Sequence, residues 1–181
     1  MTSNTAHILS RISAHRAKIF SLLPAGLAYG HLASTAATLK VERMCALPVL
    51  LSVMSTLVLS KRDISILSDH FKKILRLIMK LPDRTPEPVI FFLAGTLPLP
   101  AHLHLRKLSL FGMICRLQGN VLHSIGRIML TDCKPAAKSW FQDIRNICVQ
   151  YALPHPLDLL NNPPPKCRVE CGLDEVGSLR M

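Results

Sequence analysis

Aromatic side chains are scarce in this 181-residue chain, at 5% of the composition, and acidic ones number only 11 against 22 Lys and Arg. A core short of aromatics must be built from Leu, Ile, Val, Met and Ala, and straight-chain residues of that kind keep more rotamer freedom in helices than in strands. There is no Asp-Asp pair, and the only adjacent acids are Asp174 and Glu175. No pair of neighbouring aspartates therefore suggests the kind of carboxylate cluster that holds two Mg²⁺ ions about 3.5–4 Å apart for phosphoryl transfer. No Cys-x-x-Cys, Gly-x-Gly-x-x-Gly, Gly-x-x-x-x-Gly-Lys-Ser/Thr, Gly-x-Ser-x-Gly or His-Glu-x-x-His occurs. The sequence therefore offers no nucleotide cradle, zinc knuckle or nucleophile elbow, and the expectation is a protein that is not an enzyme and needs no cofactor or metal.

Long hydrophobic runs are also missing. Ala46 to Leu59 is free of charge for fourteen residues between Arg43 and Lys61. A membrane span needs roughly 20 such residues. The run reads instead as a buried core helix with Pro48 in its first turn, and no membrane insertion is expected. Six cysteines, at 45, 115, 133, 148, 167 and 171, follow no signal-peptide pattern and read as reduced intracellular thiols, with nucleus and cytoplasm not distinguished. Cys115 and Cys148 lie in apolar helical surroundings and are expected to be small buried hydrophobes.

What the chain does have is positive charge. The net charge is +11, and residues 1–80 hold eleven Lys/Arg against three acids. Such an excess attracts polyanions without dictating fold or sequence preference.

Periodicity predicts helices over Ile8–Leu23, from Ser34 as N-cap to about Met44, and over Ser60–Leu81, Ala101–Leu117, Val121–Leu130 and Ala136–Ala152. Val89–Leu93 is a short apolar element of undetermined type. The expected fold class is all-α: an irregular bundle of about six to seven helices with Pro/Gly-rich connectors. Residues 1–160 form the helical domain, and 161–181 a Pro-rich junction and disordered tail. In Ser60–Leu81, Ile64, Leu67, Phe71, Ile74 or Leu75, and Ile78 form one stripe. Lys72, Arg76 and Lys80 share another face at i, i+4 and i+8, where they match successive phosphates or simply a solvated face complementing the helix dipole. With Lys73, Arg106 and Lys107 they make up the candidate RNA- or DNA-binding set. Trp140 is read as core rather than as a base-stacking platform. His102 and His104, two residues apart, fall on different helix faces and are not a ligand pair. His155, between Pro154 and Pro156, is read as shaping a turn.

Several phrases occur in order: Ser21-Leu-Leu-Pro-Ala-Gly-Leu-Ala-Tyr-Gly, Ala46-Leu-Pro-Val-Leu-Leu-Ser, Ser60-Lys-Arg-Asp-Ile-Ser-Ile-Leu, Phe92-Leu-Ala-Gly-Thr-Leu-Pro, Leu105-Arg-Lys-Leu-Ser-Leu-Phe-Gly-Met-Ile-Cys-Arg-Leu, Lys138-Ser-Trp-Phe and Leu153-Pro-His-Pro-Leu. Together, over about residues 19–165, they resemble the region downstream of the palm in reverse transcriptases of non-LTR, LINE-type retrotransposons. The resemblance implies a helical thumb-and-linker piece in contact with template and RNA, and no activity of its own. The metal-holding acids of such enzymes have no counterpart in these residues, and the stretch from Cys167 leaves the pattern. Two roles follow as expectations. One is nonspecific phosphate binding to RNA or DNA; the other is a helical interaction module that meets a partner, or a second copy, through an exposed apolar face. A translated remnant without a selected role is the third.

Overall fold

The computed structural model describes residues 3–22, 34–132 and 138–163, and all regular structure among them is helical. The tail expected to be disordered, and Cys133, Cys167 and Cys171, lie outside the described residues. The order is α1 (Ser3–Leu22), α2 (Thr35–Val41), a π turn (Glu42–Ala46), α3 (Leu47–Leu51), α4 (Lys61–Met79), α5 (Glu87–Ala94), α6 (Leu99–Arg116), α7 (Val121–Asp132), α8 (Trp140–Gln150) and α9 (Pro156–Asn161).

Helix starts follow side-chain chemistry. Ser34 caps α2 by accepting from the Ala37 amide at 3.2 Å. At α4 Ser60 and Asp63 form a reciprocal capping box, with Ser60 Oγ accepting from the Asp63 amide and the Asp63 carboxylate accepting from the Ser60 amide at 3.1 Å. The end of α4 is equally well defined. Lys80 adopts a left-handed φ of 54°, and the Leu81 amide reaches back to the Arg76 carbonyl at 3.0 Å. The undetermined element at Val89–Leu93 is helical and belongs to α5, which ends on Gly95 at φ 57°.

Between α2 and α3 the chain stays helical but widens. Pro48 lacks an amide proton, and its ring crowds the carbonyl four residues back. The π turn relieves this crowding, and the Leu47 amide bonds the Glu42 carbonyl five residues earlier. The core helix expected over Ala46–Leu59 stops at Leu51. Ser52 turns extended at ψ 136°, and Val53 sits at φ 68°, a conformation costly for a β-branched residue. Side chains compete for the backbone here: Ser52 Oγ donates to the Val49 carbonyl at 2.8 Å, and Thr56 Oγ1 to the Val53 carbonyl at 2.7 Å. The Trp140 indole then pins the loop by donating to the Ser55 carbonyl at 2.7 Å, while Met54 is fully buried.

Two large apolar clusters result, beside a small third of Ile19, Ala46 and Ile74. The first gathers Ile8, Leu39, Leu47, Leu50, Leu51, Met54, Leu67, Phe71, Leu75, Ile90 and Leu99 from α1 to the start of α6. The second holds Phe111, Cys115, Leu130, Ile144, Cys148 and Leu160 from the rest of α6 and α7–α9. Helix α6 is common to both, and Lys107 lies between its two buried ends. Trp140 packs against Phe111 and Phe141 as expected of a core residue. His155, read as a turn, instead caps α9 through the Leu157 amide at 3.3 Å, with Pro156 at the first helical position where a missing amide is harmless. No single helix among the described residues is long and apolar enough to cross a membrane. Helices α5 and α6 meet such a test only together, across a 58° bend.

Candidate nucleic-acid interface

The cationic face of α4 is less free than its spacing implies. Lys72 lies 3.0 Å from Asp69 and 3.1 Å from Glu87, and its hydrogen bond to Asp69, assisted by Glu87, holds its ammonium above the ordinary lysine range. Arg76 donates to the Thr85 carbonyl at 3.2 Å across the α4–α5 connector. Lys73 and Lys80 are exposed. On α6, Arg106 is half-buried; burial lowers His102, and the charges of Arg106 and Arg43 add to it. Lys107 is buried, its Nζ 2.8 Å from Asp143 of α8, so the structure corrects its place among the surface cations. A row of i, i+4 residues reveals which side chains share a face. It does not reveal which of them a later helix will neutralise.

A different group of charges comes together where α1 and α4 pack side by side in the same direction. His15 Nδ1 meets His70 Nε2 at 3.0 Å with the rings edge to face, and Ile19 packs with Ile74 one turn on. Arg16 of α1 and Lys73 of α4 are both exposed and both act on His70. Burial is the largest cause of His70's depression to about 4; His15, Arg16 and Lys73 add to it. Neither Arg16 nor Lys73 forms an ion pair among the described residues. Phe20 and Leu77, each four residues beyond these cations on the same helix faces, leave about half their surface exposed, at 49% and 50%. The seam is thus a basic ledge with apolar shoulders. Point charges of this kind hold phosphates and carry no base information.

Beneath the ledge, His15 Nε2 lies 3.6 Å from Glu42 Oε1 in the π turn. Both residues are fully buried, and neither carboxylate oxygen of Glu42 has a hydrogen-bond partner. In sequence, Arg11, Arg16 and Lys18 stand between the apolar positions of α1. His15, which occupies the buried stripe between Ile8 and Ile19, was the missed signal: a polar residue at a core position asks for a polar partner.

The remaining candidates for chemistry are held by structural contacts. His102 bonds Thr96 Oγ1 at 3.0 Å, and His104 bonds the Tyr151 hydroxyl at 3.1 Å, on separate faces as expected. Burial pushes the Cys115 thiol up to about 11 and raises that of Cys148, which disfavours the thiolate at neutral pH. Among the described residues, no group of three His, Cys, Asp or Glu side chains is placed to hold a metal ion. Comparison with known proteins finds no family model, no curated protein and no solved structure that matches the chain.

Proposed function

We propose that this chain is a noncatalytic fragment of retrotransposon descent that binds the phosphate backbone of RNA or DNA along the α1–α4 seam. The ordered phrases between residues 19 and 165 support the descent. One observation carries the binding: Arg16 of α1 and Lys73 of α4 are exposed beside the His15–His70 contact that joins the two helices, and neither forms an ion pair among the described residues. Lys80, exposed at the end of the same helix, extends the ledge. Lys72, Arg76 and Lys107 have protein partners and contribute little. Binding is by charge neutralisation, tolerant of sequence and weakened by salt. Filter binding of a single-stranded oligonucleotide to the full chain tests it. The double charge reversal R16E/K73E abolishes retention at low salt, whereas K107M retains it. Equal retention by all three proteins refutes the reading.

A second reading, an interaction module, is favoured by α7. Gly126 and Leu130 are buried, yet Val121, Leu122, Ile125, Ile128 and Met129 around the rest of the helix are exposed, Val121 by 71%. A helix apolar on both faces is ordinarily enclosed. A salt-insensitive oligomer in light scattering, indifferent to oligonucleotide, would support this reading over the first.

A further inference from the structure

We infer that α7 pairs with the α7 of a second copy of this chain, antiparallel and through Val121, Ile125 and Ile128. The inference rests on the interaction-module reading and names its partner. At about 100° per residue, Val121, Ile125, Ile128 and Asp132 fall within about 60° of one another, at the 4-3-4 spacing of a coiled-coil seam. Leu122 and Met129 border this row on one side, and all six residues are exposed. The basic side chains of α7 turn elsewhere. Arg127 donates to the Asn161 side chain, and His123 Nε2 lies 3.2 Å from the Leu160 carbonyl, both on α9. In a chain of net charge +11 the row is thus free of positive charge. It offers a polyanion nothing, and two copies can meet along it without setting cation against cation.

The one charge on the row sets both partner and direction. Val121 begins α7 and Asp132 ends it. When Ile125 lies over Ile128 of the second copy, each Asp132 reaches the first turn of the other α7, where the positive end of the helix attracts a carboxylate. A parallel pair would set Asp132 against Asp132. The face is therefore complementary to itself, as a two-fold interface requires. Its five apolar side chains expose on the order of 450 Å² per copy, so a pair covers about 900 Å², the scale of a weak, concentration-dependent dimer rather than an obligate one.

Sedimentation equilibrium of the full chain, over about 1–300 μM protein in about 0.15 M salt, tests the pairing. The expected result is a monomer–dimer equilibrium that I128E shifts at least about tenfold toward monomer, because the new carboxylate is buried without a partner. D132N weakens it about fivefold by removing the attraction to the helix start. F92E leaves it unchanged, although Phe92 of α5 is 85% exposed. Ile128 is itself 57% exposed, so I128E keeps the fold, which far-ultraviolet circular dichroism checks. A dimer indifferent to I128E overturns the inference, and so does one that D132N strengthens, since that is the mark of a parallel pair. A monomer at every concentration overturns it too. If an apolar dye then binds the monomer and not I128E, the interaction-module reading stands; if it binds both alike, that reading falls as well.

Discussion

Removing one member of the Lys107–Asp143 pair should be far more damaging than removing the other. Lys107 Nζ lies 2.8 Å from Asp143 Oδ2, and the two side chains differ in exposure, 6% for the lysine and 29% for the aspartate. D143A strands an ammonium between the two apolar clusters, and breaking a buried pair in this way costs about 3 kcal/mol, the lower end of the usual range because water reaches the aspartate side. K107M exchanges the ammonium for an apolar chain of similar volume and leaves a carboxylate that can hydrate, so its loss should be about 1 kcal/mol. The double variant should resemble K107M, because the stranded charge is gone. Urea denaturation followed by far-ultraviolet circular dichroism measures the three shifts, with m-values unchanged if the native fold persists. A loss of about 3 kcal/mol is a large share of the 5–15 kcal/mol typical of a domain. Equal losses for the two single variants, or a larger loss for K107M, would refute the argument that α6 and α8 are joined through a desolvated lysine.

Three further outcomes follow from individual sites. His70 has its imidazole held at about 4 against an ordinary 6.5, so the unfolded chain takes up this proton first and stability falls as pH drops from about 6.5 to about 4. Discounted for His70's partial contact with solvent, the loss is about 1–2 kcal/mol, seen as a melting-temperature decline that is shallower in H70Q. V53G removes a β-branched side chain from φ 68°. Since Val53 is half exposed, it should raise stability by about 1 kcal/mol, and a lower denaturation midpoint would contradict the strain. W140F loses the 2.7 Å bond to the Ser55 carbonyl while keeping an aromatic ring. A destabilisation of about 1–2 kcal/mol is expected, with faster amide exchange over residues 52–59.

Helix α4 was legible because every local signal agreed: Ser60 and Asp63 at its start, the Leu67–Phe71–Ile74 stripe, and basic residues toward its end. Ser34, Cys115, Cys148, and the separate directions of His102 and His104 were legible for the same reason, since each depends on neighbours within a turn or two. The stop after Leu51 was not. Its apolar run carries no charge or glycine to mark a break, and the bend is held partly by Trp140, 85 residues from Ser55 in sequence. Helix α9 was missed because His155-Pro156 has the composition of a turn, although the same pair also makes a cap followed by a proline where proline is tolerated. The candidate cations show the same limit. Lys107 fits the surface pattern of α6 until Asp143 arrives 36 residues later, while Arg16 and His70 become neighbours only when α1 and α4 pack.

The salt dependence of oligonucleotide binding tests the central claim most directly. With Arg16, Lys73 and Lys80 each neutralising one phosphate on a single strand, log K should fall against log salt with a slope near −2, and removing one cation should reduce the slope by about 0.7. A slope near zero, or one that R16E/K73E leaves unchanged, would contradict a phosphate-binding ledge between α1 and α4.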